Sequence, residues 1–241
     1  MLQNQDYIEH YKLDAEYVDY FQPSKFEKEV IRRRYQTLIA LSRPADGERI
    51  LEIGSGGGQV LAAIGKKSVY YYPLDIAHNN LKEIRERSGN LYTLPVTGDA
   101  FHLPVQNESM DVVLCSEVLE HVNEPGSVLE EIRRVLKPQG RVVISVPYKE
   151  KITYQLCIHC NRLTPTHAHL HSFDKQKMEH LFNTCGLKTG GKLTMGNKAA
   201  NRLYFNIAFK FFPYLLWRFF DRFFNLIVPK PSHLVVWGTK E

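Results

Sequence analysis

The chain is poor in cysteine, with four in 241 residues, and it holds no internal repeat and no low-complexity tract. So few thiols exclude a cystine-stapled scaffold and leave the cysteines as plain thiols or metal ligands. No run of about 18 uncharged apolar residues occurs, so no membrane-spanning helix is expected. Residues 1–22 are acidic and aromatic and lack the basic start and apolar run of a secretory peptide. The expectation is a cytoplasmic protein, with the membrane surface as a secondary location. A composition of 44% apolar and 24% charged residues excludes a disordered or collagenous chain.

The net charge of +5 is unevenly spread. Residues 1–150 carry 18 Lys and Arg against 22 Asp and Glu, whereas residues 151–241 carry 13 against 4. The acidic part suits an uncharged or cationic small molecule, and the basic part an acidic or amphiphilic surface. The basic residues are scattered rather than clustered, which argues against specific nucleic-acid binding.

Residues 24–42 read as a helix, with Ser24 as N-cap, Glu27 completing a capping box and Pro44 after the end. An alternation follows: strands at 49–53, 68–76, 91–100, 111–118 and 141–147, and helices at 59–66, 78–89 and 124–140. That spacing predicts a doubly wound α/β sheet with helices on both faces. Beyond 148 lie a Cys/His-rich stretch, a helix at 173–186, two late strands at 187–195 and 233–240, and an aromatic insert between those strands. The expected organisation is a single domain over 1–241. Its parts are an N-terminal helical segment (1–44), a ligand-binding core (45–148), a Cys/His insertion (149–172) and an aromatic helical insertion (197–230).

The most informative segment is Ile50-Leu51-Glu52-Ile53-Gly54-Ser55-Gly56-Gly57-Gly58-Gln59-Val60, a glycine turn between a strand and a helix. Glycines there let a ligand lie against bare backbone at the carboxyl ends of the strands. The dinucleotide pattern fails, because its sixth position is Gln59. The acid Glu52 ahead of the turn repels pyrophosphate and suits a cationic ligand. Asp75, 21 residues after Gly54, is placed to accept from both hydroxyls of a ribose. Asp99 is placed to accept from an adenine amine.

With LEIGSGGG, PLDIA, VTGDAFHLP and MDVVLCSEVLEHV in order, followed by LEEIRRVLKPQGRVVISVP, the chain resembles the class I S-adenosylmethionine-dependent methyltransferases. The branch it resembles is the ubiquinone/menaquinone-biosynthesis-like one, methyltransferase type 11. The resemblance covers about residues 45–148 well. It implies a Rossmann-like seven-stranded sheet, mostly parallel with an antiparallel last strand, and S-adenosyl-L-methionine as cofactor. Carried over, Glu52, Gly54, Ser55, Gly56 and Gly58 hold the methionine end. Asp75 and Ile76 meet ribose and adenine, Asp99 and Ala100 meet adenine, and Ser116 and Glu117 lie beside the sulfonium. Pro73 departs from an interior strand, since it lacks an N–H for the ladder, so that strand is expected to end early.

Residues 157–171 hold Cys157, Cys160, His159, His167, His169 and His171, the residue types of tetrahedral zinc. The expected structural zinc ligands are Cys157, Cys160, His167 and His169, with His171 competing for the fourth place. Buried thiols and cleft histidines are the plainer reading of the same stretch. His121 and the histidines at 167–171 are candidate bases, and none is assigned.

Residues 203–228 hold eight of the thirteen Phe, with two Tyr and Trp217, split by Pro213. Arg218, Asp221, Arg222 and Asn225 share one helix face. Four roles compete for the insert: a lid over a hydrophobic acceptor, membrane-surface contact, an oligomer contact and extra core. The expected activity is methyl transfer to a small hydrophobic or lipid-like acceptor. Its rivals are a non-catalytic zinc-clipped binding module and an NAD-type oxidoreductase; Glu52 and Gln59 oppose the latter.

Overall fold

A computed structural model describes residues 6–89, 92–158 and 161–241. Two helices come first, α1 (Asp6–Tyr17) and α2 (Lys25–Ser42). The capping box forms: the Ser24 hydroxyl accepts from the Glu27 N–H, and the Glu27 carboxylate accepts from the Ser24 N–H. Then β1 (Arg49–Ile53), α3 (Val60–Ile64), β2 (Tyr70–Asp75), α4 (His78–Ser88) and β3 (Val96–Thr97) alternate. The alternation continues through β4 (Met110–Ser116), α5 (Pro125–Val135) and β5 (Leu136–Pro147). A two-stranded hairpin follows, β6 (Tyr154–Leu156) and β7 (Leu163–Pro165), with α6 (Lys175–Thr184) and β8 (Leu187–Asn197) after it. Three helices, α7 (Lys198–Arg202), α8 (Phe205–Ala208) and α9 (Tyr214–Ile227), precede β9 (Pro231–Lys240).

The main sheet has seven strands in the order β3-β2-β1-β4-β5-β9-β8. All neighbours are parallel except β9, which runs antiparallel to both β5 and β8. The parallel part is the doubly wound sheet expected from the alternation, and the seven-stranded Rossmann-like whole with its antiparallel last strand is what the resemblance implied. Successive strand residues feed opposite layers, as the period-two geometry of strands requires. Leu51, Ile53, Val113 and Cys115 pack with α5 and α6 residues such as Leu129, Ile132 and Phe182. Ile50, Val112 and Leu114 pack on the other face with Leu38, Leu81, Ile84 and Trp217.

Besides the strand expected over 91–100, which is reduced to Val96–Thr97, two boundaries differ from the expectation. First, β2 runs straight through Pro73, which pairs with Glu52 of β1. Tyr71 exchanges both backbone bonds with the β3 side, at Tyr92 and Leu94, so Pro73, two residues on, turns its missing N–H the same way. β3 is a two-residue edge strand that meets β2 only at Leu74 and Asp75, so the missing N–H is turned to the short edge of the sheet, where proline is tolerated. Second, the helix expected over 124–140 ends at Val135 and β5 begins at Leu136. Pro138 excludes helical geometry at Lys137, which fixes the switch there.

Candidate functional site

The strand order reverses between β1 and β4, so the ends of those strands diverge and open a crevice. A cavity of about 910 Å³ fills it, near the upper end of ordinary ligand sites. The glycine turn forms its floor. Gly54 and Ser55 both donate to the Leu74 carbonyl, at 2.9 and 3.0 Å. Gly54, Gly56 and Gly58 have φ of 68°, 46° and 67°, a region that side chains disfavour. A Cβ on Gly57 would sit 2.5 Å from the Tyr20 carbonyl, so the chain ahead of α2 closes directly over the turn.

The cavity wall contains Gly54, Ser55, Gly56, Asp75, Ile76, Ala100, Ser116 and Glu117 from the expected set. Asp75 closes β2 with one oxygen accepting from the Gly56 N–H and the other from the Ala77 N–H, both at 2.9 Å. Its carboxylate is thereby aimed across the turn. Asp99 accepts from the Phe101 N–H at 3.1 Å and from the Tyr7 hydroxyl, which α1 brings over the site.

Glu117 follows β4 with φ of 56°, strained for a non-glycine residue. Burial alone would neutralise it. Arg34 at 3.6 Å, His233 at 3.5 Å and the Ser145 hydroxyl at 3.0 Å instead pull its pKa down to about 2. A fixed negative charge therefore faces the cavity.

Glu52, Gly58 and Asp99 are placed differently from the expectation, since none of them lines the cavity. Glu52 is wholly buried beneath the turn, not on the cavity wall, and accepts from the Tyr71 hydroxyl. It reaches a ligand only through the turn above it. The physical reason is that β1 is sandwiched between β2 and β4, so a residue one before its end points into a layer. Gly58 likewise abuts α4, where a Cβ would meet Ile84 at 2.8 Å.

Burial raises the Glu52 carboxyl to about pKa 8, with Asp75 adding to the rise and Tyr71 and Tyr35 opposing it. The folded chain thus keeps a proton that the unfolded chain releases above its ordinary value of 4.5. Stability of the ligand-free protein is expected to fall as pH rises between those two values and to level off above the upper one. Glu52→Gln should flatten that slope in denaturant titrations across pH; an unaltered slope would refute the assignment.

Sequence reading missed the roof. Tyr7, Tyr11 and Asp14 of α1, Tyr20 after it, and Arg34 and Tyr35 of α2 all line the cavity. The only available signal was the density of aromatic and acidic residues before Ser24.

At the far end lie the histidines. His121 donates from Nδ1 to the Ala168 carbonyl at 3.3 Å, since a carbonyl only accepts, which leaves its Nε2 lone pair unprotonated. Burial, with the neighbouring His169, lowers its pKa to about 4, so it is neutral near pH 7. His169 pairs with Glu150, and its ring centre is 4.6 Å from that of His121.

One ligand atom each from Glu120, His121 and His169 lie within 4.8 Å of one another. Glu120 is fully buried, and neither of its carboxylate oxygens has a hydrogen-bond partner among the described residues. Burial and the Glu117 charge push its pKa well up. Of the four expected zinc ligands, Cys157 and His167 stand on the cavity wall, His169 joins Glu120 and His121, and Cys160 lies outside the described residues, as does His159.

Residues 51–144 match the sequence family described as "Methyltransferase domain". A demethylmenaquinone methyltransferase of Clavibacter sepedonicus is 38% identical over 102 residues, covering 42% of each chain. A ubiquinone biosynthesis O-methyltransferase of Aeromonas salmonicida is 31% identical over 133 residues, covering 52% of this chain and 56% of that one. The chain thus spans about half the length of these curated relatives.

Among solved structures, the cyclase SpnF superposes with a TM-score of 0.62 at 16% identity, covering 87% of this chain and 80% of that one. Phosphoethanolamine N-methyltransferase 2 of Haemonchus contortus, in complex with S-adenosyl-L-methionine, superposes with 0.60 at 16%, covering 86% and 52%. At those identities the structures speak for the fold alone. Sequence match, sheet order and glycine turn agree: residues 51–144 are similar to the methyltransferase-domain family, on a Rossmann-like fold.

Proposed function

We propose that this chain transfers a methyl group from S-adenosylmethionine to a small, hydrophobic or lipid-like acceptor by in-line displacement. The observation that carries the reading is the shared cavity. It joins the glycine turn and the Asp75 carboxylate at one end to the unprotonated His121 Nε2 at the other. The names of the quinone-pathway relatives support a hydrophobic acceptor.

The cofactor supplies an electrophilic methyl carried on a positively charged sulfur. The Ser55 hydroxyl, which has no partner among the described residues, and the bare glycine backbone would hold its amino-acid end, with Ser116 and the ionised Glu117 alongside the positive charge. Asp75 accepts from the ribose hydroxyls, with Ile76 beside the ring, while Asp99 and Ala100 read the adenine edge. Holding donor and acceptor close and aligned supplies about 7–11 kcal/mol of the barrier. The His121 Nε2 takes the proton of an acceptor hydroxyl as the new bond to carbon forms. α1 roofs the turn and keeps water from the methyl.

A divalent ion fits the residues present, because the buried Glu120 carboxylate has no partner to offset its desolvation. Glu120, His121 and His169 would hold it there, and because the His121 Nε2 would then be a ligand, an occupied site would leave no base on that ring. Cys157, Cys160, His167 and His169 are the ligands a separate structural zinc would use. Metal analysis of Glu120→Gln beside Cys157→Ser separates the two sites by which variant loses metal.

Calorimetry is expected to show S-adenosylhomocysteine binding and no heat with NAD. Labelled methyl should then appear in short-chain phenols or quinols. Heat with NAD alone would return the chain to the oxidoreductases.

A further inference from the structure

The aromatic insert packs the opposite way round from an ordinary surface helix. Of the polar stripe of α9, Arg218, Asp221 and Asn225 face inward, and Arg222 lies at the exposed edge. Asp221 is buried and ion-paired with Arg218, whose guanidinium also donates to the Thr194 carbonyl at 2.9 Å. Asn225 donates to the Gly196 carbonyl at 3.2 Å, and Asn197 donates to Asn225 at 3.0 Å. With its polar groups spent on the end of β8, the helix turns its other face outward.

That outer face is apolar: Leu215, Leu216, Phe219, Phe223, Leu226 and Ile227 are all exposed, Leu226 by 80%. Phe211, just ahead of the helix, is 85% exposed. Isolated exposed apolar residues need no account, but a continuous helical face of them marks a contact surface.

The charges around it choose the occupant. Lys198, Arg202, Lys210, Arg222 and Lys230 are exposed, while the segment's one acid, Asp221, is buried. The Lys210 ammonium lies 4.7 Å from the centre of the Phe211 ring. Apolar side chains beside cations that have no ion pair among the described residues match a bilayer surface, with acyl chains below and anionic headgroups beside. With 14 residues, α9 is about 21 Å long, short of the hydrocarbon thickness, so it lies on a bilayer.

We propose that the outer face of α9, with Phe211, docks this chain onto a lipid bilayer bearing anionic headgroups. The contact stands on the geometry of the insert and does not depend on the reaction assigned to the cavity.

The test is sedimentation of the full chain with vesicles of phosphatidylcholine alone or with added phosphatidylglycerol. The chain is expected to partition onto the anionic vesicles and to release as salt is raised. Replacing three exposed residues together (Leu215→Ser, Phe219→Ser and Phe223→Ser) should weaken partitioning roughly tenfold or more. The pair Lys210→Glu and Arg222→Glu should abolish the preference for anionic lipid while leaving the apolar face intact. Unchanged circular dichroism shows that the variants are folded. No sedimentation with either vesicle, or equal sedimentation of the triple variant, overturns the proposal. So does a wild-type dimer in light scattering that the triple variant splits, which would give the face to a second copy.

Discussion

Asp75→Ala is expected to weaken S-adenosylhomocysteine binding by about 100-fold, or about 3 kcal/mol. Two effects add. The variant removes the acceptor proposed for the ribose hydroxyls, a charge-assisted contact worth about 1.5–3 kcal/mol. It also removes the carboxylate that fixes the turn through the Gly56 and Ala77 amides. Asp75→Asn should fall between the two, because the amide keeps one accepting oxygen and loses the charge. Global stability should change less than binding, since burial already raises the Asp75 pKa and the folded state gains little from its charge. Calorimetry beside thermal unfolding separates the two quantities. Wild-type affinity in Asp75→Ala would remove the ribose assignment.

Trp217→Ala is expected to cost about 3–5 kcal/mol of folding stability. At this chain length that is a fall of roughly 10 °C in Tm. The side chain is 1% exposed, and its Nε1 donates to Asn206 at 2.9 Å. The Arg33 guanidinium lies 5.1 Å from its ring centre and donates to the carbonyls of Phe209 and Phe212. Truncation therefore leaves a cavity, an unpaired buried amide and a less well covered buried cation. Phe219→Ala, on the outer face of the same helix, should stay within about 0.5 kcal/mol of wild type. Equal losses in the two variants would mean that the orientation of α9 is wrong.

Much of this was legible in the sequence, for identifiable reasons. Apolar runs broken by glycine and by capped helices are local signals, and they yielded the alternation from β1 to β5 and the turn at Gly54. Asp75 was read at the end of β2, where it stands, because a strand's end has a fixed place in a doubly wound sheet; Asp99 lies two residues beyond β3 and off the cavity wall. Glu52 shows the limit: its place in the chain was read correctly, but its depth depends on what stacks above β1. Asn225, Asp221 and Arg218 were seen to share a face, yet amphipathicity cannot say which face is inside when buried carbonyls at Thr194 and Gly196 need donors. The contribution of α1 was illegible because its Tyr7 bonds to Asp99, 92 residues away. The β6–β7 hairpin was hidden by short strands whose residues are largely exposed, so no inside–outside alternation marks them.

The ladder between β8 and β9 has an evolutionary consequence. Asn197 pairs with Pro231, and the Lys198 amide donates to the Lys230 carbonyl at 2.8 Å, so the whole excursion through α7, α8 and α9 leaves and re-enters the sheet at one spot. Antiparallel neighbours can be joined by a two-residue hairpin. The excursion therefore stands where a plain hairpin could: an ancestor with such a hairpin would keep its strand order, but would have to refill the core layer that Phe205 and Trp217 share with Ile50 and Val112.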